Sequence, residues 1–152
     1  MKSLIAHLRT VSPSGKPTPP PVFSAKGRDF IKSGGMRPAA SIMASYRTTL
    51  PPDMGATVAL GRYIAENTCS ECHGPTLKGI PDFEPKVSTP DLDIAGAYSD
   101  QELTSLLTIG KGKSKPDLGL MTLVGKEHFG YLTPHERAEV VAYIKARAAR
   151  PQ

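Results

Sequence analysis

The stretch Cys69-Ser70-Glu71-Cys72-His73 carries the strongest signal in this 152-residue sequence. It holds both cysteines of the chain, which lie about one helical turn apart, and an imidazole follows the second thiol directly. Two cysteines this close exclude a disulfide framework, which joins several cysteines across longer loops. Three chemistries remain for the stretch: a CxxC redox pair, half of a metal site, or attachment of a haem.

The histidine directly after the second cysteine favours haem attachment. A c-type haem needs two thiols for its vinyl groups, here Cys69 and Cys72, and an imidazole for its iron, here His73. A structural zinc site needs further ligands at close spacing, and His128 and His135 lie too far apart for a zinc finger. A thioredoxin-like pair needs a βαβ context, and the sequence has no strand pattern. We therefore expect one covalently bound haem c.

A second axial ligand has to come from elsewhere in the chain. Met121 is the one methionine after the motif, and we expect it in a loop between two helices. Met/His ligation raises the reduction potential and occupies both axial positions, which suits electron transfer. Two alternatives stay open: His128 as the ligand, or Met121 as a core residue without a ligand role.

Three helical patterns predict an all-α domain over residues 54–152. Apolar residues at helical spacing run into the motif. Ser99-Asp100-Gln101-Glu102 is a capping-box pattern that opens a second helix, which Gly110 is placed to end. Thr133-Pro134-His135-Glu136 opens a third in the same way, with proline at the first helical position.

Residues 1–53 differ from the rest in composition. They hold eight of the fifteen prolines and a charge of +6, whereas residues 54–152 sum to −1. This pattern predicts a Pro-rich linker over residues 13–53, with a short helix around residues 26–31. No basic helix with interleaved aromatic residues points to nucleic-acid binding. The start is no signal peptide, and no run of about 20 apolar residues predicts a transmembrane segment.

These patterns resemble the class I c-type cytochromes over about residues 54–150. Gly61 stands eight positions before Cys69, where the family has a glycine at the crossing of its first and last helices. Tyr143 falls where the last helix carries an aromatic residue at that crossing. The resemblance implies the class I cytochrome c fold, in which three main helices surround one covalent haem, here with an irregular N-terminal arm.

The resemblance also implies residues around the haem. Pro90-Asp91-Leu92 is similar to the family's Gly-Pro-Asn-Leu segment, whose proline carbonyl accepts a bond from the ligating imidazole, so Pro90 and Leu92 are expected at the site. Thr89 and Asp91 replace the family's Gly and Asn. Met121 is similar in position to the axial methionine, and Thr122 stands where the family has a proline.

More narrowly, residues 60–65 and 72–79 look like cytochrome domains that occur in tandem and pass electrons from periplasmic dehydrogenases towards the respiratory chain. This implies redox protein partners (a dehydrogenase, a terminal oxidase or another cytochrome) and a place in the periplasm or on the periplasmic side of a membrane. Residues 3–10 echo residues 139–146. We hypothesise that residues 1–10 are the last helix of a preceding cytochrome domain.

Two functions are compatible with the sequence. An electron carrier, which is not an enzyme, needs only a fixed coordination sphere, and no serine triad, phosphate loop or carboxylate dyad is present. A haem enzyme or gas sensor needs a displaceable sixth ligand instead. Lys111, Lys113 and Lys115 precede Met121 and either flank a docking surface or lie in a solvated loop.

Overall fold

The computed structural model describes residues 2–36, 38–83 and 87–151, without the side chains of residues 42 and 45–48. Its contacts divide the chain into two units, Met1–Ala39 and Ala40–Gln152. Across the described ranges, no helix is both long and apolar enough to cross a membrane. The α-helices are α1 (Lys2–Thr10), α2 (Ala25–Lys32), α3 (Ala39–Thr48), α4 (Ala59–Thr68), α5 (Ser70–His73), α6 (Asp100–Ile109), α7 (Leu120–Glu127) and α8 (Pro134–Ala149).

The first unit contains α1 and α2, neither of which buries a residue. Ser24 caps α2, because its hydroxyl accepts the amide proton of Gly27 at 3.1 Å. The short helix predicted around residues 26–31 is therefore confirmed. Helix α1 covers the segment that echoes residues 139–146.

The core of the second unit lies where α4, α6 and α8 meet. Helix α8 contacts α4, α6 and a 3-10 helix at Leu92–Ala97. The described ranges of the chain contain helices and turns but no strand, so the predicted all-α fold is confirmed. The buried apolar side chains are Val58, Ile64, Ala65, Leu77, Ala95, Leu103, Leu107, Phe129, Val140, Val141, Tyr143 and Ile144.

Helices α4 and α8 cross in backbone contact at Gly61. A Cβ atom there would lie 1.9 Å from the carbonyl oxygen of Glu139 and 2.8 Å from Cβ of Tyr143. No side chain fits between two backbones at that distance. The glycine and the tyrosine thus occupy the positions at the crossing that the sequence resemblance implied.

The segment before α4 is hydrogen-bonded to both helices of this crossing. The hydroxyl of Tyr143 donates to the carbonyl of Pro52 at 2.9 Å, and Nε of Arg62 donates to the carbonyl of Pro51 at 3.0 Å. Pro51 itself is fully buried. The boundary at residue 53 stays a prediction, and these two prolines before it pack on the helical core.

Both predicted capping boxes are present. Ser99 and Glu102 bond reciprocally at the start of α6, as do Thr133 and Glu136 at the start of α8. Gly110 ends α6 with a φ of +71°, a left-handed conformation that glycine adopts without steric cost.

Candidate haem-attachment site

The motif lies at the junction of α4 and α5. Cys69 follows the last residue of α4, and α5 ends at His73, where Gly74 turns the chain with a φ of +76°. Cys69, Cys72 and His73 are all partly exposed, and neither cysteine is in a disulfide. Both thiols and the imidazole are therefore within reach of a ligand bound beside α5.

A hydrogen bond to one ring nitrogen holds the imidazole of His73. Nδ1 lies 2.9 Å from the carbonyl oxygen of Pro90, and because a carbonyl only accepts, Nδ1 must be the donor. In the neutral ring this leaves a lone pair on Nε2. Burial lowers the pKa of His73, while the carbonyl of Pro90 opposes that shift. The neutral ring, which is the form that binds a metal ion, is thereby favoured.

Backbone hydrogen bonds hold the loop after His73 against the segment that carries Pro90. The amide of Gly79 donates to the carbonyl of His73 at 2.8 Å, and the amide of Leu92 donates to the carbonyl of Leu77 at 2.9 Å. Leu92 packs on the edge of the core. The two segments therefore form one wall beside the motif.

Although Cys69 is partly exposed as a residue, its thiol differs chemically from one in open solvent. Burial raises its pKa from 9.0 to about 11, and the hydroxyl of Thr68 offsets only part of that rise. Without its haem, the side chain is a protonated thiol at neutral pH and a poor nucleophile.

The expectation that Met121 lies in a loop is wrong, because it is in the first turn of α7. The residue before the helix is Gly119, whose φ is +62° and which has no side chain to cap α7. The hydroxyl of Thr122 accepts from the amide of Leu118 and donates to the carbonyl of Gly110, both at 2.8 Å. These bonds tie the start of α7 to the end of α6. Met121 is partly buried against the core.

The residues at the motif fit a covalently bound haem. Two thiols and a neutral imidazole with Nε2 unprotonated are the donors such a group requires. Cys69, Leu92 and Met121 border the same apolar core cluster, which supplies the apolar contacts a porphyrin needs. Among the described residues, no group of three or more His, Cys, Asp or Glu could hold a metal ion.

The sequence matches the family described as Cytochrome c over residues 58–148. The chain belongs to the cytochrome c family. Searches of curated proteins and of solved structures returned no significant match. The cytochrome c domain spans α4 to α8, and membership implies covalent haem c and haem-based electron transfer.

Sequence reasoning missed two polar residues of the cytochrome c domain. Thr122 anchors the start of α7, and its partner Gly110 is twelve residues away, so no local pattern indicates the contact. Arg147 is buried on α8. It lies three residues after Ile144 on the apolar face of the helix. A charged residue at such a position can be recognised from the helical spacing in the sequence.

Proposed function

We propose that Cys69 and Cys72 attach one haem c, that His73 and Met121 are its axial ligands, and that the chain carries single electrons. The observation that carries the proposal is the 2.9 Å contact of His73 Nδ1 with the Pro90 carbonyl, which leaves Nε2 for iron. The family match over residues 58–148 supports the same chemistry.

A bound haem supplies a redox-active iron. The chain's own part is to hold that iron with little rearrangement between its two oxidation states. The Pro90 carbonyl fixes the tautomer and orientation of His73 and makes the imidazole a stronger donor. The partly buried apolar side chains of Leu92 and Met121 pack against the core cluster, and an apolar environment of this kind would favour a high reduction potential in a bound haem.

Met121 is preferred to His128 as the sixth ligand. Met121 borders the core cluster that Cys69 and Leu92 also border, whereas His128 is exposed at the end of α7. The hydroxyl of Thr122, the residue after Met121, bonds to the amide of Leu118 and to the carbonyl of Gly110 and so holds the start of α7 in place. A methionine ligand from this anchored helix would close the sixth position, which disfavours a gas sensor or haem enzyme.

We propose redox proteins as partners: a dehydrogenase, a terminal oxidase or another cytochrome, on the periplasmic side of a membrane. The resemblance of residues 60–65 and 72–79 to tandem cytochromes supports this choice. Lys113 is engaged within the domain, since it pairs with Glu102 at 3.3 Å and lies 5.8 Å from the ring centroid of Tyr98. Exposed Lys111 and Lys115 are left as candidate docking charges.

The test is expression of the chain behind an export signal together with a haem-attachment system. We expect haem that stays with the polypeptide on a denaturing gel, and loss of that haem in a Cys69→Ser/Cys72→Ser chain. The oxidised protein should show the near-infrared charge-transfer band of a Met–iron bond, which Met121→Ala abolishes and His128→Ala retains. Haem that washes off under denaturation would refute attachment, and rapid carbon monoxide binding by the reduced protein would refute the closed sixth position.

A further inference from the structure

Arg147 is a charged side chain with no solvent exposure near the end of α8. It continues the apolar face of that helix, on which Val140 and Ile144 lie seven and three residues earlier. Burial of a guanidinium is strongly destabilising unless other groups compensate its charge and its hydrogen-bond donors. The partners of Arg147 therefore indicate why a charge is retained in this position.

The guanidinium of Arg147 joins three separate stretches of chain. Nη1 lies 2.9 Å from Oδ1 of Asp91 and also donates to Oδ1 of Asp93. Nη2 donates to the carbonyl of Thr76 at 3.2 Å. One planar group thus connects α8, the loop after the motif and the start of the 3-10 helix at Leu92–Ala97.

The charges in this cluster are balanced. Arg150, which directly follows the last residue of α8, binds both carboxylate oxygens of Asp93 at 3.2 Å, so two arginines face two aspartates. Asp91 is fixed from its own backbone as well, because its Oδ1 accepts the amide proton of Asp93 at 2.9 Å. Each carboxylate therefore has a definite position relative to α8.

Both ends of the imidazole–carbonyl contact are next to this cluster. Thr76 is three residues after His73, and Asp91 directly follows Pro90. A shift of either segment would pull the Pro90 carbonyl away from Nδ1, and the guanidinium of Arg147 opposes a shift of both.

We propose that Arg147 is a positioning residue that fixes the Pro90 carbonyl opposite Nδ1 of His73. The inference rests on the proposed role of His73 as an iron ligand, since that bond then sets the orientation and donor strength of the axial imidazole. Arginine suits this role because its planar group of five donors binds several acceptors at fixed angles.

The test compares three variants of the full-length haem protein. Arg147→Leu removes the group, and Arg147→Lys keeps the charge but not the planar set of donors. Arg137→Leu is the matched control, because Arg137 also lies on α8 and donates to two carbonyls, those of Gly130 and Leu132, away from the motif. The readout is exchange of the His73 Nδ1 proton with solvent, followed by NMR.

We expect exchange to be about five- to tenfold faster in Arg147→Leu, the factor that loss of one hydrogen bond produces. Arg147→Lys should exchange at an intermediate rate, and Arg137→Leu at the wild-type rate even where it lowers the unfolding midpoint. Wild-type exchange in Arg147→Leu would overturn the proposal. If Arg147→Leu does not fold, the Arg147→Lys variant decides. An exchange rate equal to that of the wild type in Arg147→Lys would overturn the proposal, because a positive charge without the planar set of donors would then be enough to hold the Pro90 carbonyl.

A second measurement separates this inference from the proposed function. In the protein without haem, nitrogen NMR of the His73 ring reports which nitrogen carries the proton. We expect the Nδ1–H form in the wild type and in Arg137→Leu, and a mixture of both tautomers in Arg147→Leu. This result does not depend on haem, so a wild-type chain that fails to attach haem refutes the proposed function alone, whereas an unchanged tautomer in Arg147→Leu refutes the positioning role.

Discussion

At the scale of single residues, the chemistry of the motif depends on what surrounds each side chain. The Cys69 thiol is part of a Cys-x-x-Cys-His pattern, yet burial raises its pKa to about 11, whereas the same environment lowers the pKa of His73. Both shifts have one cause, since burial disfavours a charged thiolate and a charged imidazole alike. The Cys69 thiol and the His73 imidazole of the haem-free motif are therefore neutral at neutral pH.

The raised pKa predicts slow alkylation of Cys69 in the protein without haem. In a Cys72→Ser chain, the thiolate fraction at neutral pH should be up to about 100-fold below that of a thiol with a pKa of 9.0, because the shift to about 11 is two pH units and the variant loses only the smallest of its causes. Iodoacetamide labelling followed by mass spectrometry measures the rate. The rate should rise about tenfold per pH unit through pH 10, since the thiolate fraction rises until the pKa is reached.

The same Cys72→Ser chain unfolded in urea is the control for that prediction. Its labelling rate should level off near pH 9, because the thiol is then exposed to solvent. If the labelling rate of the folded chain levels off at the same pH as that of the unfolded chain, the raised pKa of Cys69 is contradicted. A labelling rate that is lower at every pH, with the midpoint of its pH dependence unchanged, would show steric protection rather than a change of pKa.

At the scale of elements, the crossing of α4 and α8 depends on the absence of a side chain at Gly61. Gly61→Ala places a Cβ atom 1.9 Å from a backbone oxygen that cannot rotate away, so the helices must separate. We expect a loss of about 3 kcal/mol or more in the free energy of unfolding, at the upper end of overpacking effects. Urea unfolding followed by circular dichroism measures it.

Gly96→Ala is the matched control for the crossing. A Cβ atom at Gly96 would lie 3.6 Å from Cβ of Ala148, an ordinary contact. This variant should differ from the wild type by less than about 1 kcal/mol. If Gly61→Ala and Gly96→Ala lower the free energy of unfolding equally, a side chain at the helix crossing is no more destabilising than one elsewhere, and the prediction is wrong.

A comparison of the helices shows which of them can be predicted from local sequence. The capping boxes of Ser99 and Thr133 were predictable because their partners lie three residues away. Helix α7 was missed because Gly119 supplies no cap and Thr122 is anchored by tertiary contact. Helix α3 was missed because the prolines around it indicated a linker.

For the candidate site, the sequence predicted the donors and the Pro90 segment but not what fixes them. The motif contains the three donors, Met121 was predicted as the one methionine after it, and the family resemblance adds Pro90 and Leu92. Arg147 acts across 54 residues of sequence on Asp93, and no local pattern specifies that pairing. Its charge on an apolar helix face was the one clue available from the sequence.

At the scale of the whole molecule, the second unit includes chain that precedes residue 54. Pro51 is buried, and the carbonyls of Pro51 and Pro52 accept bonds from Arg62 and Tyr143. The domain that folds cooperatively should therefore begin before these prolines.

This predicts a difference between two truncated chains. A chain that starts at Leu50 should keep the stability of the full chain, whereas one that starts at Met54 should lose about 2 kcal/mol, roughly 1 kcal/mol for each lost hydrogen bond. Urea unfolding of the haem-free forms measures the loss. Equal stability of the two truncated chains would place the boundary at residue 53, where the sequence composition changes.

The bond between Tyr143 and Pro52 joins residues that are 91 positions apart in the chain. During synthesis, α4 and the cysteine motif leave the ribosome well before the partner helix exists, and closing so long a loop costs entropy before any contact compensates it. The nascent chain therefore exposes both thiols for as long as the last helix takes to be made. Chemical modification of the motif is easier in that interval than in the folded chain, in which both thiols are only partly exposed.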